Sequence, residues 1–174
     1  MPDWAEILSR DGPAAWRSAH RLLGNRADAD ECFQDACVDA VAVARKGVVR
    51  CWRALRVRLA TARAVDRLRW RGRDKSSGLG DWSSVPGAVL DPTQSALDTE
   101  LAERLRRALA TLPGPQAEAF CLAALEGWPH AEVALQMGIT ANAVGVLVHR
   151  ARHRLAPMFD PAPAGSPRAV EEAR

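Results

Sequence analysis

The amino-acid sequence predicts an all-α protein made of two small helical domains, joined by a flexible linker and with a helix-turn-helix in the second domain. Three observations support this class. Apolar residues make up 48% of the 174 residues but aromatic residues only 5%, and Tyr is absent, so Ala, Leu and Val are expected to fill helical cores. Apolar positions recur at helical spacing in both halves. A segment rich in Gly, Ser, Pro and Asp interrupts this pattern between them.

Three helices are predicted in the first half. Pro13 is expected in the first turn of a helix that stops at Gly24, since proline suits the start of a helix and glycine its end. Residues 28–46 form the second predicted helix, with acidic residues in its first turn. Residues 49–71 form the third, whose apolar stripe is expected to pack against the second helix.

The predicted domain boundaries follow from these patterns. An N-terminal domain is expected at 1–73, a linker at 74–95, a C-terminal domain at 96–157 and a disordered tail at 158–174. The helices expected in the C-terminal domain span 96–111, 115–127, 130–137 and 141–157.

Charge is distributed unevenly along the first half. Between Arg45 and Arg73 eleven basic residues face one acid, Asp66, whereas the preceding helix is acidic. The sequence therefore predicts one surface for a polyanion and another for a basic or polar partner. The stripe of Arg56, Arg63, Arg67 and Arg71 is expected to face outward. Such a stripe with Trp52 and Trp70 fits single-stranded or melted DNA, although a solvated charged face is the alternative.

The second half contains the spacing of a helix-turn-helix. A short helix at 130–137, a turn at Gly138 and the predicted N-cap Thr140 lead into a last helix from Ala141. An ordinary helical hairpin is the alternative. The face of the last helix opposite its apolar stripe and the flanks of that face are predicted to meet DNA, and they hold Asn142, Gly145, Val146, His149, Arg150, Arg152, His153 and Arg154.

Several other functions are not indicated. The four cysteines form no C-x-x-C pair and are expected to be buried free thiols. His149 and His153 lack further ligands nearby, so no metal site is expected, and no motif indicates a cofactor, a small-molecule substrate or an enzyme. The N-terminal sequence lacks a signal-peptide pattern and no stretch approaches a membrane span, so we expect a cytoplasmic protein without membrane insertion.

Two sets of motifs, in order across the linker, resemble the sigma-70 family of extracytoplasmic-function (ECF) type. "RLLGNRADADECFQDACVDA" is similar to the family's core-binding helix, and "WRALRVRLATARAVDRLRWRGR" is similar to its promoter-melting helix, which ends in D-x-x-R at Asp66 and Arg69. "LRRALATLPGPQAEAFCLAALEGWPHAEVALQMGIT" and the later "HRAR" are similar to its C-terminal domain, with Glu126, Gly127 and Glu132 in matching positions.

The resemblance implies a factor that binds core RNA polymerase and promoter DNA to start transcription, with an anti-sigma factor as a further partner. It implies core-polymerase contacts at Asp30, Glu31, Gln34 and Asp35. The residues expected at the minus-10 element are Trp52, Arg53, Arg56, Arg63, Arg67, Arg69 and Trp70. Those expected at the minus-35 element are Thr140, Asn142, Val146, His149, Arg150, Arg152, His153 and Arg154.

The chain departs from the family's pattern at several positions. Residues 116–118 lack the usual arginine, and Gly145, Val146 and Leu147 replace three polar contact positions. We therefore expect Asn142 to be the main base reader and the basic residues of the last helix to attract phosphates. The same departure keeps two alternatives open: a diverged sigma-like interaction module, and a helix-turn-helix regulator that reads the minus-35 sequence weakly.

Overall fold

The structure is a computed structural model that describes residues 4–74 and 92–159 of the chain. These residues form α-helices and include no β-strand, which confirms the predicted all-α class. The helices are α1 (Trp4–Leu23), α2 (Arg26–Lys46), α3 (Trp52–Asp74), α4 (Pro92–Thr111), α5 (Gly114–Phe120), α6 (His130–Met137) and α7 (Ala141–Phe159).

The first three helices pack against one another as a bundle. Small residues line their contacts: Ala15, Ala19, Ala60 and Ala64 have no exposed surface. Because these side chains end at Cβ, the helices approach closely and leave little space for larger apolar groups. The composition-based expectation of small core residues is confirmed in this bundle.

The start of α1 corrects a prediction. Pro13 lies inside α1, which begins nine residues earlier at Trp4, so the prediction that Pro13 begins the helix is wrong. The end is as predicted: Gly24 adopts the left-handed conformation at φ 67°, and its N–H donates to the carbonyl of His20 at 2.7 Å. The next residue, Asn25, then caps α2 by accepting from the N–H of Asp28.

The helix-turn-helix forms as the sequence predicts. Gly138 ends α6 at φ 68°, and Thr140 Oγ1 accepts from the N–H of Ala143 at 3.1 Å to cap α7. The inward face of α7 is the predicted one and consists of Val144, Val148, Ala151 and Leu155. Upstream, α5 continues into a π-helical turn, Cys121–Leu125.

The two halves pack against each other in this structure. Helix α3 contacts both α4 and α5, and the buried side chains of the two halves form one continuous cluster. Of the predicted linker, Asp74 ends α3 and residues 92–95 begin α4, while residues 75–91 lie outside the described residues. Of the predicted tail, 158–159 belong to α7 and 160–174 lie outside. The division into two domains stays a prediction.

No helix taken singly within 4–74 and 92–159 has the length and apolar character to cross a membrane. Helices α6 and α7 reach that length and composition only as a pair, and a bend of 103° separates their axes.

Candidate functional site

One face of α7 is open to solvent along the length of the helix. The stripe of apolar side chains holds α7 against α5 and α6, so the opposite side points away from the protein. The predicted minus-35 residues on this side are all exposed: Asn142, Val146, His149, Arg150, Arg152, His153 and Arg154. Thr140 is exposed as well, although its hydroxyl caps the helix. The arrangement has the shape and charge of a DNA-binding helix.

The three residues that replace polar positions on α7 do not form a continuous apolar patch. Gly145 lies beside α6, where an added Cβ would be 3.7 Å from His130 Nδ1. Val146 is 41% exposed, and Leu147 is partly buried against the core. Only Val146 therefore presents an apolar side chain of this trio to solvent.

The arginine stripe of α3 faces outward only at Arg63, which corrects the prediction for its other three members. Arg56 is only 2% exposed. Its guanidinium lies 5.2 Å from the centre of the Phe33 ring, and its Nη2 donates to Cys37 Sγ at 3.3 Å. Arg56 therefore belongs to the contact between α2 and α3.

The other three arginines of the stripe reach across to acidic residues of α2. Arg63 binds Asp39 through two parallel hydrogen bonds of 2.7 and 2.8 Å. The remaining ion pairs join Arg67 to Asp28 and Glu31, and Arg71 to Asp28. The prediction was wrong because the small residues between the helices bring α2 within reach of these long side chains.

Some of these ion pairs shift the pKa of a partner. The hydrogen bond from Arg67, with its positive charge, lowers the pKa of Glu31, and the same bond raises the pKa of Arg67. In the same way Asp39 raises the pKa of Arg63. The acidic and basic surfaces that the sequence predicts as separate are thus largely paired with each other.

Other residues of the predicted minus-10 set do face solvent. Arg53 is exposed and Trp70 is 58% exposed, whereas Trp52 is half-buried. Arg69 is half-buried and pairs with Asp66 on its own helix at 3.5 Å. Further exposed basic residues, absent from the predicted set, surround the connection between α2 and α3: Arg45, Lys46 and Arg50. The sequence does contain a signal for these residues, because they form a basic run around Gly47. The run was missed because it does not follow the spacing of a helical stripe.

The predicted polymerase-binding residues lie on one face of α2, as their spacing requires. Gln34 and Asp35 are exposed. Asp30 accepts a 2.6 Å hydrogen bond from the indole N–H of Trp16, whose ring stacks on His20. Glu31 is exposed but paired with Arg67. The structure therefore places the four residues on one face of α2. Partners within the bundle hold the side chains of Asp30 and Glu31.

The cysteines divide into two groups. Cys32 and Cys121 are buried free thiols as predicted, and burial raises their pKa to about 11 and about 12. Cys37 is half-buried and Cys51 is exposed, so the prediction is wrong for Cys51, which lies in the connection before α3. Among the described residues no three His, Cys, Asp or Glu side chains cluster in a way that suits a metal ion.

Comparison with known proteins agrees with this arrangement. Residues 102–155, which include α5, α6 and most of α7, match the family described as Sigma-70, region 4. The ECF RNA polymerase sigma factor SigE of Mycolicibacterium smegmatis is 30% identical over 159 residues, which are 89% of this chain and 61% of that protein. The chain thus spans less than two thirds of the length of this relative.

Among solved structures, the chain is similar to the sigma factor RpoE of Bartonella quintana, which was solved in complex with the anti-sigma factor NepR. The TM-score is 0.56 at 22% identity, over 91% of this chain and 97% of that one. At this identity the likeness concerns the fold. The region 4 match at the helix-turn-helix and the likeness to SigE along most of the chain agree with each other: this chain is similar to sigma-70 factors of the ECF group.

Proposed function

We propose that this chain binds core RNA polymerase and directs it to promoters, as an ECF-type sigma factor. The observation that carries the proposal is the solvent-exposed basic face of α7, on a capped helix-turn-helix inside the segment that matches region 4. A factor of this kind catalyses no reaction itself and works in the cytoplasm, where polymerase and promoters are.

The polymerase contact is proposed on the face of α2 that carries Asp30, Glu31, Gln34 and Asp35. Exposure of Gln34 and Asp35 supports it. The bond from Trp16 holds the Asp30 carboxylate in one orientation before any partner arrives, which reduces the entropy lost on binding.

The minus-10 contact is proposed at Trp52, Arg53, Arg69 and Trp70. An exposed tryptophan on a basic helix offers a flat surface for an unstacked base, and Arg53 offers a charge for the backbone. Arg56, Arg63 and Arg67 are instead assigned to holding α3 against α2, because their guanidinium groups already have partners there.

The minus-35 contact is proposed on α7 and at its cap, Thr140. His149, Arg150, Arg152, His153 and Arg154 would neutralise phosphates, while Asn142 near the start of the helix would reach base edges. Val146 has room to meet a thymine methyl group. A further proposed partner is an anti-sigma factor, by analogy with the similar sigma factor that was solved with NepR.

Reconstitution tests the proposal most directly. The full chain is added to core polymerase on a library of genomic promoters, and the start sites of the transcripts are sequenced. We expect a small set of start sites that share two upstream elements. A chain that neither co-purifies with core polymerase nor changes its start sites would contradict the proposal.

A second candidate function is a sigma-like interaction module that does not read the minus-35 sequence. The observation that favours it is the middle of α7, where Gly145 has no side chain, Val146 is apolar and Leu147 turns toward the core. Crosslinking within promoter complexes separates the two candidates. Crosslinks from positions 149 and 152 to minus-35 bases would exclude the interaction module, and their absence in a transcribing complex would favour it.

A further inference from the structure

Arg56 is a buried arginine at the place where the first three helices meet. The residue is 2% exposed, although arginine is normally found at the surface of a protein. Its guanidinium carbon is 5.2 Å from the centre of the Phe33 ring of α2, and its Nη2 donates to Cys37 Sγ at 3.3 Å. Helix α1 approaches from a third side at Gly12, where an added Cβ would lie 3.7 Å from the same nitrogen. Arg56 therefore contacts a short stretch of α2 from inside the bundle.

The stretch of α2 that Arg56 contacts is a single helical turn. Phe33 and Cys37 are four residues apart, so they lie one above the other on the inner face of the helix. Gln34 and Asp35 belong to the same turn and are exposed on its outer face. These are two of the four residues to which we assign the polymerase contact. The turn therefore carries part of the proposed contact outside and meets Arg56 inside.

Gln34 and Asp35 differ from the other two residues of the proposed polymerase contact. Asp30 and Glu31 are held directly by side chains of α1 and α3. Among the described residues, the side chains of Gln34 and Asp35 have no hydrogen-bond or ion-pair partner. Their placement therefore depends on the backbone of the turn that carries them, and Arg56 packs against the inner side of that turn.

A buried guanidinium contributes more to geometry than to stability. Replacing buried charged groups with apolar residues of similar volume is often neutral or stabilising. The planar face and the N–H groups of arginine, however, accept an aromatic ring and a sulfur atom in only a few arrangements. Apolar cores of the right volume lose rigidity before they lose stability. An apolar side chain in place of Arg56 is therefore expected to keep the fold and to loosen the turn.

We propose that Arg56 is a positioning residue for polymerase binding, which acts through Phe33 and Cys37 to hold Gln34 and Asp35 in the arrangement that polymerase meets. The inference rests on the proposed function for the identity of this partner. Arg56 itself touches neither polymerase nor DNA, because the bundle covers it. A turn that samples other arrangements binds more weakly, since apparent affinity falls with the fraction of molecules that are competent to bind.

Hydrogen exchange of the full chain without polymerase tests whether Arg56 holds the turn. Arg56→Met replaces the guanidinium with an unbranched apolar side chain, and Arg107→Met is its control, because Arg107 is exposed on α4 and loses the same charge. We expect the amides of residues 34–38 to exchange about tenfold faster in Arg56→Met, while those of α7 keep the rates of the parent. The control should exchange as the parent does. Unchanged exchange at residues 34–38 would overturn the inference.

Phe33→Leu tests the same contact in a chain that keeps the arginine, so it decides the question even if Arg56→Met loses its helical circular dichroism. Phe120→Leu is the matched control, since Phe120 is also partly buried against the core but lies on α5. Faster exchange at residues 34–38 in Phe33→Leu alone would support the inference. Equal exchange of these amides in the two folded variants would overturn it.

Affinity for core polymerase tests whether Arg56 acts through the outer face of the turn. We expect Arg56→Met to bind core polymerase about tenfold more weakly than the parent, if roughly one tenth of its molecules keep the turn in place. In a chain that already carries Gln34→Ala and Asp35→Ala, Arg56→Met should weaken binding no further. An equal loss in both chains would indicate a general structural role and would overturn the inference. A parent chain that does not bind core polymerase would contradict the proposed function, and hydrogen exchange would then still decide whether Arg56 holds the turn.

Discussion

Arg63 on α3 and Asp39 on α2 form a two-pronged ion pair, in which Nε and Nη2 of the arginine donate to the two carboxylate oxygens at 2.7 and 2.8 Å. This geometry matches the planar guanidinium to the planar carboxylate. Together with the ion pairs of Arg67 and Arg71, it shows that much of the positive charge of α3 is paired with acidic residues of α2. The number of basic residues in α3 therefore overstates the charge that is available to DNA.

The first prediction concerns the acid at the centre of these pairs. Asp28 is 8% exposed and binds both Arg67 and Arg71, so Asp28→Asn should destabilise the fold by about 2 kcal/mol, the scale of a charged hydrogen bond left unmade. Arg63→Gln should cost less than about 1 kcal/mol, because that pair is more exposed and solvent screens it. Urea unfolding followed by circular dichroism measures both. Equal losses would contradict the ranking.

The second prediction concerns two glycines of the helix-turn-helix. Gly145→Ala should stabilise the protein by about 0.5 to 1 kcal/mol, since an added Cβ finds ordinary contact distances beside His130 and glycine weakens a helix interior. Gly138→Ala should instead destabilise by about 1 kcal/mol, because its φ of 68° strains a residue with a side chain. Thermal and urea unfolding of the two variants should therefore shift in opposite directions.

The third prediction separates positioning from reading on α7. Arg152→Ala should weaken binding to all duplex sequences to a similar degree and flatten the salt dependence by about 0.9 in the logarithmic slope, as loss of one phosphate contact does. Asn142→Ala should cost about 1 to 3 kcal/mol at a single base position. Binding to a randomised minus-35 library measures both. A strongly sequence-dependent loss for Arg152→Ala would show that this arginine reads bases.

The fourth prediction concerns thiol reactivity. Cys51 is exposed and should react with a maleimide in the folded protein, whereas Cys32 and Cys121 should react only after unfolding. Because burial raises the pKa of Cys32 from 9.0 to about 11, its neutral form stabilises the fold fully below pH 9, and that contribution is lost as the pH rises toward 11. Mass spectrometry of labelled peptides identifies the reactive site, and Cys51→Ser is the control. Fast labelling of Cys121 in folded protein would contradict its burial.

Helix periodicity determined most of the local structure. The ends of α6, the start of α7 with its cap at Thr140, and the four inward residues of α7 follow from patterns within a few turns of chain. Pro13 misled the prediction because proline is favourable in the first turn of a helix, whereas here it lies inside a helix that begins at Trp4.

The site residues on α7 were predictable for the same reason, since one helix with one buried face leaves the other face exposed. The site residues on α3 were not predictable in this way. Arg56, Arg63 and Arg67 share a stripe in the sequence, but whether that stripe meets solvent or α2 depends on how closely two helices pack.

The sequence by itself determined the helices, the helix-turn-helix, the uneven charge and the resemblance to the sigma-70 family, because each of these resides in residue order along one segment. Only the tertiary structure decided which charges remain available. Contacts between small alanine side chains allow α2 to lie close to the arginines of α3. Arg106, Glu118 and Glu126 form polar contacts between the C-terminal half and the bundle. Such pairings join residues far apart in the chain, and long flexible side chains select partners by distance after folding.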